Sequence, residues 1–413
     1  MQPTSTSQHA ERPKRPKPAS ESNPEHGSQS EPPISANSSE AKPAASNAKK
    51  AQPEKRTARI KFADCEGFHR ELRARVKSFF ANDENNARDV PGMYLKSFVI
   101  LAWTFASYLL MFWFTAWWQI VLLSGSLGLA MAAVGFNIQH DGGHSAYSER
   151  RWINRVMAYT MDLIGASSYV WKHRHNIIHH TYTNITGHDG DVDLGFLGRL
   201  TPHQPRLSFH RFQHFYLWPL YGFVTAKWHL MDDFNSVRRG KIGETSFPRP
   251  KGKDLVYFLG GKALFFSLAF FIPMIWFPWY IVAGVYFLAT FLQGIVMSMV
   301  FQLAHVIEHA EFPMPEGDSM RMEAAWAVHQ VQTTVNFAMD NRVVCWYTGG
   351  LNYQIEHHLF PHVCHLNYPK LSKVVASVCD EYGVEYNTYK TVSGAVAAHY
   401  RWLKEMGQPE VVA

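Results

Sequence analysis

The 413-residue chain is short of charge, and the shortage is uneven. Asp, Glu, Lys and Arg make up 18% of it, yet residues 97–139 and 263–304 contain none of these side chains. At that average, 85 residues should hold about 15 charges. Four cysteines, Cys65, Cys345, Cys364 and Cys379, have no paired spacing. That excludes a disulfide framework and gives no sign of a cysteine-based zinc site. Residues 1–57 lack Val, Leu, Phe, Trp, Tyr and Cys altogether. A stretch rich in Pro, Ser, Lys, Ala and Glu buries too little apolar surface to order itself, so it is read as a disordered tail. It has no apolar segment of the kind a secretory signal needs. The mean hydropathy of −0.20 looks soluble, but it averages unlike segments.

What is present instead is two long apolar runs. A membrane-crossing helix needs roughly 20 apolar residues for a hydrocarbon core about 30 Å thick. Each run is about twice that, and a single helix of 43 residues would reach roughly 65 Å. Each is therefore expected to be a hairpin of two crossings. The first should turn near Thr115–Gln119 and the second near Pro273–Pro278, where tryptophans suit an interface and prolines break a helix. Four crossings return residues 1–96, 140–262 and 305–413 to one side. These regions hold 17, 16 and 7 of the Lys and Arg residues, which is all 40. The positive-inside rule then assigns all three to the cytoplasm. Residues 58–96 read as an amphipathic lead-in, 97–139 and 263–304 as the two hairpins, and 140–262 and 305–413 as cytoplasmic caps. Phe215–Lys227 and Met157–Val170 are too short to span and look interfacial. The fold class expected is an all-α integral membrane protein of four spans under a helical cap.

Histidine is the other excess, at 22 residues, and both uncharged runs end directly on one, His140 and His305. His140-Asp-Gly-Gly-His144 follows the first hairpin. Positions four apart share a helix face, so both imidazoles are able to reach one metal. His173-Arg-His175-Asn-Ile-Ile-His179-His180 repeats the spacing at His175 and His179. Gln354-Ile-Glu-His357-His358 forms a third cluster, and His305 stands at the end of the fourth crossing. A lone pair of histidines is weak as a sign of metal. Three clusters plus His305 on one membrane face bring together eight imidazoles, enough for two metals. Imidazole suits Zn, Cu, Fe and Ni alike. Asp141 and Glu356, inside the clusters, are the expected acceptors for the second N–H of a ligating imidazole. Asp189, Asp191 and Asp193 read equally well as a solvated loop or as such partners. His203, His229, His309, His329, His362, His365 and His399 are given ordinary structural roles, and His210 and His214 an interfacial one.

The order H-D-G-G-H, H-x-x-x-H-H and Q-x-x-H-H, with membrane hairpins between, resembles the membrane fatty acid desaturases. The resemblance runs from about Val90 to His399 and includes Trp346–Gln354 and His358–His362. Gln354 in place of the first histidine of the third box looks like the front-end subgroup. The family implies a cap over four spans, a narrow apolar acyl tunnel and a non-haem centre of two irons that uses O₂ to remove two hydrogens from an acyl chain. Its ligands would be His140, His144, His175, His179, His180, His357 and His358, with His305 similar to an extra ligand after the fourth crossing. Gln354 replaces a ligand, leaving its own part open. No His-Pro-Gly-Gly haem motif occurs, so a separate ferredoxin or cytochrome b5 with its reductase is expected to supply electrons. In this the chain is more similar to bacterial acyl desaturases of the linoleoyl-CoA desaturase type, which implies a bacterial inner membrane, or the endoplasmic reticulum in a eukaryote, and an acyl-CoA or acyl-lipid substrate. Region 140–262 carries a net +6 and 305–413 a net −5. The basic face suits an acidic redox partner or CoA phosphates, and equally an anionic membrane.

Two other readings compete. A relative with the same boxes would hydroxylate, ketolate or oxidise an alkane. A metal transporter would hold ligands near the membrane midplane, whereas neither apolar run contains a histidine.

Overall fold

The computed structural model describes residues 60–64, 67–81, 86–114 and 116–409. The expected disordered tail and Cys65 lie outside the described residues. The described residues are mostly helical, and among them four helices are long and apolar enough to cross a membrane: Pro91–Leu110, Trp117–Gly143, Lys253–Ile275 and Trp279–His305. These are spans one to four. Spans one and three begin before the uncharged runs do, at Pro91 and Lys253. A helix starts where its backbone is satisfied, and charged residues are tolerated in its first turns. The first turn also comes earlier than expected. Residues 111–114 leave the helix, while Trp117–Gln119 already wind into span two. Gln119 Oε1 accepts the Ala116 N–H at 3.3 Å, so this polar residue closes the start of a helix instead of a loop. The second turn lies at the prolines, with a 3₁₀ turn over Pro273–Ile275 and span four starting after Pro278.

Large apolar side chains on the spans point outward, among them Leu95, Phe98, Leu109, Val256, Leu259 and Phe271. Trp113, Trp117, Trp276 and Trp279 are exposed around the two turns, as in an aromatic belt. This exposed apolar surface is the mark of a lipid-facing belt. Inside, spans two and four cross almost backbone to backbone. A Cβ on Gly128 would lie 2.3 Å from the Ala289 carbonyl oxygen, so only glycine admits the crossing.

Spans two and four have 27 residues each, about 40 Å of helix. That exceeds the hydrocarbon core by roughly two turns, and those last turns carry His140 and His305. The lead-in helix Phe68–Ala81 packs Phe68, Leu72 and Val76 against Leu371, Val375 and Val378 of the helix Tyr368–Glu381. A short parallel pair, Lys61–Ala63 with Arg321–Ala325, ties the same region down. Met157–Val170 is not one interfacial helix. It is broken at Gly165, whose φ of +104° interrupts the helical winding.

Candidate metal centre

The first two histidine clusters sit on unusually wound helices, while the third lies on the short α-helix Gln354–Leu359. Span two passes through a π-helical stretch, Val134–Gln139, just before His140. Residues 168–182 wind as α, then π over Lys172–His179, then α. A π turn closes on residues five apart. His180 therefore lies beneath His175, with their Nε2 atoms 3.3 Å apart. His179 turns aside. The spacing of four between His175 and His179 suggests a shared metal, but the winding sends them to different groups.

All eight expected ligands come together. The ligand nitrogens of His140, His144, His175 and His357 lie within 4.8 Å of one another, as do those of His179, His305 and His358. His180 joins the two groups, lying as close to both His357 and His358. Adjacent His357 and His358 thus face opposite halves of the site.

The outer nitrogens are held by the protein. His179 Nδ1–H donates to Asp189 Oδ2 at 2.9 Å, and His358 Nδ1–H to Gln330 Oε1 at 2.8 Å. His357 Nδ1–H reaches the Tyr368 hydroxyl at 3.3 Å and His305 Nδ1–H the Thr333 carbonyl at 3.4 Å. The inner nitrogens are not held. Nε2 of His140, His144, His179, His305, His357 and His358 is buried without a hydrogen-bond partner among the described residues. A buried polar atom left unpaired is costly and calls for an explanation. A metal ion supplies one, because neutral imidazole lone pairs converging on a point are its usual donors. Burial, and then the neighbouring imidazoles, hold His144, His175, His180, His357 and His358 well below the ordinary pKa, so their lone pairs are free at neutral pH. His179 differs. Burial pushes it down, but the charge and hydrogen bond of Asp189 outweigh this and raise it.

The expected carboxylates divide. Asp141 Oδ1 lies 4.0 Å from His140 Nδ1, near the intended imidazole but beyond hydrogen-bond range. Among the described residues Glu356 has no hydrogen bond to an imidazole. It accepts from Asn336 Nδ2 at 2.8 Å and the Tyr386 hydroxyl at 2.7 Å, and burial lifts its pKa to about 7 against those two bonds. The expectation for Glu356 is corrected: on a short helix its side chain points away from the flanking imidazoles into the C-terminal region. Gln354 is buried against His305, and its side-chain oxygen has no partner. His210 and His214 are buried, not interfacial, and His210 bonds the Phe196 carbonyl and the Leu207 N–H.

Gln330, Tyr368 and the Thr333 carbonyl carry no sequence signal, since they meet their histidines only through tertiary packing. Asp189 had a faint one, an acidic cluster just after the second box.

Residues 115–390 match the family model for fatty acid desaturases, a stretch that contains all eight histidines. The chain is 40% identical over 354 residues to the sn-1 linoleoyl-lipid 6-desaturase of Synechocystis sp., covering 85% of this chain and 98% of that protein. It is 41% identical over 361 residues to the protein of the same description from Arthrospira platensis, covering 86% and 97%. An acyl-lipid (8-3)-desaturase of Physcomitrium patens is 36% identical over 366 residues, covering 86% and 75%. With the histidine boxes in order, four helices long and apolar enough to cross a membrane among the described residues, and likeness over most of its length, the chain belongs to the fatty acid desaturase family, a membrane oxidoreductase that introduces double bonds into fatty acyl chains.

Proposed function

We propose that the chain is a front-end acyl-lipid desaturase that inserts a cis double bond on the carboxyl side of an existing one, at two irons held in the cytoplasmic cap. The first iron would be held by His140, His144, His175 and His357, the second by His179, His305 and His358, with His180 at the junction. The observation that carries this is the set of six unpaired inner Nε2 atoms converging in two adjoining groups, with His180 turning its Nε2 to His175 between them. Gln354 beside His305 supports the front-end subgroup. The two cyanobacterial relatives are named for linoleoyl lipid and position 6, and an acyl group on a membrane lipid is the substrate class we assign.

An unactivated C–H bond offers an acid or base no charge to grip, so the oxidising power must come from a cofactor. When bound, two irons supply it, using O₂ and two external electrons to remove two hydrogens. The chain's own residues do the rest. Asp189, Gln330, Tyr368 and Thr333 fix the outer nitrogens, and with them the aim of each lone pair. The buried shell excludes water, and the acyl carbons held nearest the centre set the position of the bond. Electrons are assigned to a separate acidic carrier docking on the basic region 140–262. The absence of Lys and Arg from 97–139 and 263–304, the two turns included, supports a cytoplasmic site.

The test is expression in a host that makes linoleate but no further unsaturated product, with the double bonds located by mass spectrometry. A product two hydrogens lighter, with the new bond at position 6 and found on intact lipid, is expected. A product that gains oxygen would identify a hydroxylase instead, and a new bond toward the methyl end would end the front-end assignment.

A further inference from the structure

Span one contains a single charged residue, Lys96, and it is 4% exposed. An ammonium ion buried without a partner is strongly unfavourable, and an ionisable group in a membrane helix is by default a functional candidate. Lys96 has a partner far away in sequence. Its Nζ donates to His365 Nε2 at 2.8 Å, above the ring of Trp346. His365 is buried, and its Nδ1–H donates to Asp141 Oδ2 at 2.9 Å. The His365 backbone N–H reaches the same oxygen at 3.3 Å. The lysine decides the tautomer: an ammonium facing Nε2 requires a lone pair there, so the ring proton sits on Nδ1 and is given to Asp141.

Asp141 is then half used. Oδ2 has two donors, while Oδ1 has none and lies 4.0 Å from Nδ1 of His140. Asp141, Cys364 and His365 are close enough to form a metal-binding group of their own. Lys96 opposes that use, because by occupying Nε2 it keeps the proton on the Nδ1 that faces Asp141, and it brings a positive charge.

We infer that Lys96 and His365 are positioning residues, which pin Asp141 from behind so that its free oxygen faces the outer nitrogen of His140, 4.0 Å away, and its charge orients that ring with Nε2 toward the first histidine group. The line runs from span one, through the segment after the third box, to the end of span two. It ties a membrane helix to one half of the centre only. The other half has its own supports in Asp189, Gln330 and Thr333, none of which touches Lys96. The inference rests on the two-iron reading above.

The experiment uses the full chain in nanodiscs, loaded with Fe(II) or Co(II) and challenged with a chelator. Lys96→Met and His365→Phe remove the line at two different points. His365→Gln keeps an N–H for Asp141 and an oxygen for Lys96. Both disrupting variants should lose one metal ion of two about 10- to 100-fold faster than the parent. The Co(II) ligand-field spectrum should lose one component and keep the other, with the melting temperature little changed. His365→Gln should behave as the parent. If Lys96→Met and His365→Phe keep both ions at the parental rate, the inference is wrong. It is equally wrong if both ions leave together with a fall in melting temperature, since that would be a purely structural role. A parent chain that takes up no Fe(II) or Co(II) would overturn the two-iron reading, and this inference with it.

Discussion

The imidazoles differ in what stands behind them, and this grades their sensitivity to substitution. His179 has a carboxylate, Asp189, itself fixed by the N–H groups of Asn184 and Asp191. His358 has a neutral amide, and His305 only a carbonyl. A charged acceptor strengthens its imidazole as a donor more than a neutral one does. Asp189→Asn should therefore weaken iron retention about 10- to 100-fold, measured as iron per chain after a chelator challenge, while Asp193→Asn on the same loop should leave it unchanged. A second residue-scale prediction concerns Asp162, away from the histidines. Burial raises its pKa from 3.8 to about 6, with nearby Asp233 adding to this while bonds from Ser168 and the charge of Lys262 oppose. The unfolded carboxyl ionises near 3.8 and the folded one holds its proton to about 6. Between these values the unfolded state binds fewer protons, so stability is full below the window, falls as pH rises through it, and stays low above. The difference is worth up to about 3 kcal/mol. Asp162→Asn should raise the melting temperature in nanodiscs above pH 6 and flatten its slope between pH 4 and 6. An unchanged slope would remove Asp162 as the cause.

Among the elements, two glycines of span two do different work. Gly128 lets the span cross span four, with the Ala289 carbonyl oxygen 2.3 Å from where a Cβ would stand. Gly143 lets the first histidine box approach the second, with Trp171 Cζ3 also 2.3 Å from its would-be Cβ. Trp171 stacks on His175, with ring centroids 4.6 Å apart. Forcing a methyl into a packed site costs roughly 1–3 kcal/mol. Gly128→Ala should lower the melting temperature with iron per folded chain unchanged, whereas Gly143→Ala should displace Trp171 and lower iron content in protein that still folds. Equal iron loss in both would show that the centre senses overall stability instead of local fit.

For the whole molecule, the consequence of four spans is a sidedness that can be measured. In a cysteine-free background, Trp113→Cys and Ile275→Cys lie at the two turns, and both native residues are exposed. A membrane-impermeant thiol reagent should label them from the face opposite the one that labels Arg239→Cys. Labelling of all three from one face would overturn the hairpin topology.

The four spans were legible because crossing a bilayer imposes length and freedom from charge on a continuous stretch, and 97–139 and 263–304 satisfy both. The eight histidines were legible as a set for a related reason: hairpins return their ends to one face whatever the details of packing. Other features had no local signature. The division of His175 from His179 follows from π winding, which a spacing of four does not announce. Gln330 lies 28 residues from His358 and His365 lies 224 from Asp141, so only tertiary packing joins each pair. Asp141 and Glu356 looked alike in sequence, each beside a box histidine, yet one carboxylate faces its imidazole and the other faces Asn336 and Tyr386. The sequence by itself determined which residues reach the membrane face, because burial in lipid constrains composition. The tertiary structure decided how they divide and what holds them, because hydrogen-bond direction depends on backbone winding and on partners remote in the chain.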